Sequence, residues 1–232
     1  MKILALLLFG AAAGAAPAEF EAIHKRPFWT NQKGIVSIED TELCFSTASK
    51  EPKRQCWEYQ DIQHLDRISS TELALLSYED VAWKLGRDRT YRFELTSGEI
   101  SDALFEEVSE KIGRPVTDRV VGKPGAAEQE LAVKRLEAFG GSEGALYITP
   151  ERIVYLAQGE KRSRSWLVER DVESVWSSDP YRLEVHVYEG EAGSLRKPRA
   201  YKFALKERID TEFYRRLKLR LYKVDRARDL VP

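Results

Sequence analysis

The chain has 232 residues, of which 43% are apolar, 32% charged and 10% aromatic, with a formal net charge of -1 at pH 7. These proportions belong to an ordinary globular protein and exclude a disordered, collagen-like or multi-spanning chain. Near-neutrality also argues against a nucleic-acid-binding domain, which carries a basic excess.

Met1 and Lys2 precede the apolar run 3–9, a Gly/Ala stretch and Ala16-Pro17-Ala18. A charged start, a short apolar region and a small-residue cleavage site predict a secretory signal over 1–18, cut after Ala18. The alternative is a transmembrane anchor, but the stretch 3–16 falls short of the ~20 residues that span a bilayer. The expectation is an exported protein, periplasmic or extracellular, with no transmembrane segment. In an oxidising compartment the two cysteines, Cys44 and Cys56, are expected to form a disulfide, the alternative being two buried free thiols. A zinc site is the poorer reading, because none of His24, His64 and His186 has the usual close spacing to a cysteine.

Sliding the chain on itself by 110 positions aligns two long segments without a gap. Gly34, Val36 and Ile38 fall on Gly144, Leu146 and Ile148; Phe45 falls on Tyr155; Asp61-Ile62 on Asp171-Val172; Leu73 and Leu75 on Leu183 and Val185; and Tyr91-x-Phe93-x-Leu95 on Tyr201-x-Phe203-x-Leu205. A shared register of this length is evidence for a duplicated unit. Within each copy apolar residues alternate with period two, which predicts strands. Each copy ends on a helical stripe, Leu104, Val108 and Ile112 in the first and Phe213, Leu217 and Leu221 in the second. Ser101 and Thr211 are the expected N-caps. Between the copies, Gly113-Arg114-Pro115 and 122–125 are breaker clusters, and 126–139 reads as a helix stopped by Gly140-Gly141. In the first copy Pro27 restricts the equivalent region, 19–33, to a shorter helix. The expected layout is therefore a first unit over 19–112, a linker with a helix over 113–143, a second unit over 144–223 and a tail over 224–232. The fold class is mostly β with α, two tandem barrels or sandwiches, each closed by a C-terminal amphipathic helix.

About seven short strands followed by one amphipathic helix, carried by Gly34-x-Val36-x-Ile38, Trp57-x-Tyr59-x-Asp61-Ile62 and Tyr91-x-Phe93-x-Leu95, resembles the pleckstrin-homology-like superfamily, most nearly its bacterial PH and GRAM-type modules. In the second copy the middle motif survives only as Trp166-Leu167 with Asp171-Val172. The resemblance implies a barrel plugged by its last helix. Lipid-binding members hold an inositol phosphate on a basic loop between the first two strands. In this sequence those turns are 39–42 and 149–152, short and mostly acidic, which disfavours phosphoinositide recognition.

Catalytic motifs are missing: there is no G-x-S-x-G, H-E-x-x-H, Gly-rich phosphate loop or Asp-rich calcium loop. The chain is therefore expected to be a binding or scaffold protein with no enzymatic activity and no cofactor. His64 and His186 read as core or surface histidines, and Trp57, Tyr59, Trp166 and the Tyr91/Tyr201 pair as core and wall aromatics, the alternative being ligand stackers. Trp83, whose counterpart is Gly193, is a candidate contact residue or an ordinary packing difference. Charge supplies the asymmetric signal, with 12 Lys and Arg against 19 Asp and Glu over 19–112, and 24 against 19 over 113–232. Candidate binding cations are Lys161, Arg162 and Arg164; Arg196, Lys197 and Arg199; and Arg215, Arg216, Lys218 and Arg220. They could serve an anionic envelope surface, lipid or polysaccharide, or form a solvated face. The leading expectation is a protein partner engaged by an exposed sheet edge or by the basic second unit, through strand addition or a helix-flanked groove.

Overall fold

The computed structural model describes residues 17–27, 29–81, 87–138, 140–159, 162–189 and 198–229, with side chains to 223. The first half contains β1 (Ala18–Lys25), β2 (Gln32–Ile38), β3 (Glu42–Thr47), β4 (Arg54–Glu58), a 3-10 turn at Tyr59–Asp61, β5 (Ile62–Ser69), β6 (Glu72–Asp80), β7 (Asp88–Leu95) and α1 (Asp102–Ile112). A two-residue strand, β8 (Thr117–Asp118), follows. The second half contains β9 (Gln129–Leu136), β10 (Gly141–Ile148), β11 (Arg152–Ala157), β12 (Arg164–Leu167), β13 (Val172–Trp176), β14 (Arg182–Val187), β15 (Arg199–Leu205) and α2 (Thr211–Asp229).

All fifteen strands share one hydrogen-bonded ladder, in the order β13-β14-β15-β9-β10-β11-β12-β8-β5-β6-β7-β1-β2-β3-β4. The order within the second half, from β13 to β12, repeats the order within the first, from β5 to β4. This overturns the expectation of two closed barrels. Closing the first half would require β4 to pair with β5, but the outer edge of β5 is taken by β8, and β8 also takes β12. The helical linker is overturned as well, because 129–136 is strand β9. Leu131 and Val133 are fully buried while Ala132 and Lys134 face outward. The same residues fit a helical stripe equally well, and pairing to β10 on one side and β15 on the other decides for the strand. In the first half, β1 occupies the place given to a short helix. It begins at Ala18, so removal of 1–18 costs the strand one pair, Ala18 with Ile38.

Each half has its own core. In the first, Val36, Leu43, Trp57, Leu73, Leu75, Tyr91 and Phe93 pack with Phe105, Val108 and Ile112 of α1. In the second, Leu146, Tyr155, Trp166, Leu183, Val185, Tyr201 and Phe203 pack with Phe213, Leu217 and Leu221 of α2. Gly34 and Gly144 occupy the same place in both: a Cβ there would lie 2.1 Å from the carbonyl oxygen of Ser46 or Leu156, and within 3 Å of the Phe45 or Tyr155 ring. Ser101 caps α1 by accepting the Leu104 amide at 3.2 Å. For α2 the capping acceptor is Asp210, one residue before the expected Thr211, which takes the Phe213 amide at 2.7 Å.

The halves are joined by a buried polar seam around β8. Arg67 of β5, 1% exposed, sends Nε and Nη2 to the two carboxylate oxygens of Asp118 at 2.9 and 2.7 Å. It also donates to the carbonyls of Ile100 and Val120 and pairs with Asp102 at 2.8 Å. Burial works against its charge, but the hydrogen bonds and charges of Asp118 and Asp102 outweigh that and raise its pKa. Arg119 forms a bidentate pair with Asp66. His64 bridges Pro115 O (Nδ1, 3.0 Å) and Thr117 Oγ1 (Nε2, 2.9 Å). From the far side, Asp171 accepts the Leu167 amide at 2.8 Å and the Val116 amide at 3.3 Å. Arg152 of β11 reaches Glu106 of α1 at 2.5 Å.

Two outcomes follow from the seam. Arg67→Ala strands the largely buried Asp118 carboxylate and should cost about 3–5 kcal/mol in chemical denaturation, with part recovered in Arg67→Met/Asp118→Asn. Burial lowers the His64 pKa below its free value of 6.5, so the unfolded chain takes up the proton first as pH falls. The His64 contribution is therefore complete above that value and shrinks as the pH drops through it. Urea midpoints at about pH 7.5 and about pH 5 should show a larger acid loss in the wild type than in His64→Gln.

Candidate anion-binding site

The two halves repeat a Trp–Glu–Tyr triad. In the first, Trp57 lies 4.5 Å from the Tyr91 ring, Trp57 Nε1 donates to Glu79 at 3.0 Å, and Tyr91 OH donates to the same carboxylate at 2.6 Å. In the second, Trp166 lies 4.7 Å from Tyr201, Trp166 Nε1 donates to Glu189 at 3.0 Å, and Tyr201 OH donates to Glu189 at 2.5 Å. Glu79 and Glu189 are 110 positions apart, as are the two tyrosines. The tryptophans are 109 apart, because β12 is reached after one residue fewer.

What surrounds the triad differs between the halves. Glu79 is 41% exposed, with Gln55 at 3.1 Å and Arg89 at 3.3 Å. Glu189 is 5% exposed, with Arg164 at 3.9 Å and Arg199 at 3.6 Å. Arg164 stands at the place of Gln55, each opposite the matched aromatic of the preceding strand, Tyr155 or Phe45. Arg135 of β9 adds a third guanidinium, 4.6 Å from the centre of the Tyr201 ring, while that of Arg199 lies 5.3 Å away. Burial lowers the Arg135 pKa, and the neighbouring charges of Arg164 and Arg199 lower it further, with Tyr201 and Glu137 opposing. Burial and then Glu189 raise the Tyr201 pKa, keeping it a neutral donor. Arg162 adds a fourth cation at the rim, 3.7 Å from Glu137, which also pairs with Arg135 at 3.2 Å. An open-sided pocket of about 550 Å³ adjoins the cluster, lined by Arg135, Glu137, Arg199, Tyr201 and Lys202 among others. Among the described residues, four arginines gather here with two glutamates, a donor-rich arrangement suited to carboxylate, phosphate or sulfate.

Of the cations picked out from the sequence, Arg162, Arg164 and Arg199 meet here. Arg215, Arg216, Lys218 and Arg220 do not. Arg220 binds Glu128 at 2.9 Å and Thr149 O at 3.3 Å, where β9 begins and β10 ends, whereas the arginine cluster sits where β9 ends and β10 begins. Those points are separated by the length of an eight-residue hairpin, more than about 20 Å. Arg215 pairs with Glu212, Arg216 lies over Phe213, and Lys218 lies over Tyr214. Trp83, Lys161, Arg196 and Lys197 lie outside the described residues. Arg135 was missed because 126–139 was read as a helix, and Glu189 because it was one acid among many. Its match to Glu79 at the repeat offset was the available signal. The turns 39–42 and 149–152 join the second and third strands of each half. The turns between the first two strands are 26–31 and 137–140. In the second half the loop between the first two strands therefore borders Arg135 and is not the acidic turn 149–152.

Cys44 and Cys56 form a disulfide across directly opposed positions of β3 and β4. Among the described residues, Glu42 with these two sulfurs forms a group of metal-donor type, but its sulfurs are consumed in the bond. No helix among the described residues is long and apolar enough to cross a membrane. No family model matches the chain, and no curated protein matches it. A solved chain from "Structure of the Spt16D Pob3N heterodimer" aligns with 9% identity over 83% of this chain and 98% of its own, at a TM-score of 0.33. At that score the likeness carries no inference about this protein.

The contrast between the triads is measurable. Glu189→Gln leaves Arg164 and Arg199 facing each other without their buried counter-ion and should cost about 3 kcal/mol in urea. Glu79→Gln, at a partly solvated site, should cost under about 1 kcal/mol.

Proposed function

We propose that this chain is an exported, non-catalytic binding protein, akin to PH-like modules in its strands-then-helix order, that attaches to an anionic envelope surface through the second half. The observation that carries the reading is the set of guanidiniums of Arg135, Arg164 and Arg199 gathered around Tyr201 beside an open pocket. Glu189 offsets part of the repulsion among these like charges, and an arriving anion would offset more. The disulfide agrees with an oxidising compartment. Capture of a protein partner at a free sheet edge has less support. One edge, β4, has five residues, carries Arg54 and Glu58 and is tied to β3 by the disulfide. The other, β13, is packed against α2. Short, charged or covered edges are those that resist strand addition.

Co-sedimentation with vesicles of phosphatidylethanolamine and phosphatidylglycerol tests the proposal. Binding should weaken steeply with added salt and fall by about tenfold or more in Arg135→Gln/Arg199→Gln. It should persist in Arg215→Gln/Arg216→Gln/Lys218→Gln, whose side chains lie along α2 against Glu212, Phe213 and Tyr214. Salt-insensitive binding, or loss only in the α2 variant, would refute it.

A further inference from the structure

The disulfide sits where the two halves differ most in support. In the second half the hairpin β11–β12 has Val154 opposite Ser165 at the positions equivalent to Cys44 opposite Cys56, and β12 is backed by β8. In the first half, among the described residues, β4 is an outermost strand with β3 as its one neighbour, and the disulfide ties the pair at the middle of the ladder. The same hairpin thus forms without a covalent link when a strand backs it. Cys44 is fully buried, whereas Cys56 is partly open to solvent on the edge strand. Arg54, whose side chain is 52% exposed, donates from Nε to Cys56 Sγ at 3.2 Å and from Nη2 to Cys44 Sγ at 3.3 Å. Glu39 at 2.5 Å and Glu42 at 3.7 Å hold the same guanidinium, and the Glu42 carboxylate lies within 4.8 Å of both sulfurs. A cation hydrogen-bonded to sulfur stabilises thiolate, the form that leaves when a disulfide is attacked, while Glu42 opposes it.

We propose that Cys44–Cys56 is an exchange-active disulfide, opened by a dithiol that attacks Cys56 and expels Cys44 as a thiolate held by Arg54. In the first step the thiolate sulfur of the dithiol bonds to Cys56 Sγ, and the electron pair of the broken S–S bond passes to Cys44 Sγ. In the second, the remaining thiol of the dithiol, once deprotonated, attacks its own sulfur in the mixed disulfide and releases Cys56. The dithiol is oxidised to a disulfide, the protein gains two electrons, and the two protons given up by the dithiol end on the two cysteines. Reduction leaves β4 attached by backbone hydrogen bonds to β3 alone, so the bond controls how firmly the exposed end of the sheet is closed.

Dithiothreitol is the probe. The folded, oxidised protein is reduced in buffer without denaturant, quenched with acid, and its free thiols are counted by maleimide labelling and mass spectrometry. Reduction should proceed with the far-UV circular dichroism of the native protein retained. It should be about three- to tenfold slower in Arg54→Gln, restored in Arg54→Lys, and faster in Glu42→Gln, since leaving-group thiolate stability sets the rate. The Cys44→Ser protein should accept glutathione from oxidised glutathione at Cys56, and the Cys56→Ser protein should resist it at the buried Cys44. Reduction that occurs only as the chain unfolds in urea, or an equal rate in Arg54→Gln, would overturn the proposal. Faster capture at Cys44 than at Cys56 would overturn the direction of attack.

Discussion

The pairing of Arg67 with Asp118 is the contact on which the arrangement of the whole chain depends. A guanidinium with 1% exposure cannot remain charged unless its donors are met. Here they are met by Asp118, Asp102 and two carbonyls, drawn from β8, α1 and the segments beside them. Satisfying Arg67 therefore fixes the two-residue strand β8 against β5. A strand so placed presents its other edge to β12. One buried cation in the first half thus recruits the linker, and the linker recruits the second half. The result is a continuous ladder where two closed units would otherwise be the natural outcome of a duplication.

The same duplication explains how one half acquired a candidate site. Trp57, Glu79 and Tyr91 reappear as Trp166, Glu189 and Tyr201 with nearly unchanged ring and hydrogen-bond distances. Two substitutions at matched places convert a partly solvated structural triad into a charged one, Gln55 giving way to Arg164 and His24 to Arg135, while the carboxylate they surround passes from the solvated Glu79 to the enclosed Glu189. Because the Arg89–Arg199 pair is common to both, the divergence lies in how many guanidiniums share one carboxylate. The disulfide follows a similar logic at the opposite end of the ladder, being present at the edge that has no β8.

Much of the fold was legible in the sequence where one physical signal dominated. Alternation fixed the strands around Leu73 and Leu75 and around Tyr91, Phe93 and Leu95, and the stripe Leu104, Val108 and Ile112 identified α1. The 110-residue offset placed Gly34 and Gly144 at the same close approach. Legibility failed at 129–136, where Leu131 and Val133 suit strand and helix alike and only pairing with distant strands decides. As a strand, 129–136 sets the first hairpin of the second half and puts Arg135 beside its turn. The closed-barrel expectation failed for a different reason: pairing of β8 with β5, 51 residues before it, and with β12, 47 residues after it, leaves no local trace in Thr117-Asp118. The basic residues of 161–220 appeared as one patch in the sequence because order along the chain says nothing about which end of a hairpin each residue reaches.

Hydrogen–deuterium exchange over 115–120 in the intact protein tests the joined sheet most directly. If β8 is a strand clasped between β5 and β12, the amides of Val116, Arg119 and Val120, bonded to Asp171, Arg67 and Asp118, should exchange as slowly as those of the neighbouring core strands. Exchange at the rate of an open, solvated linker would contradict the account.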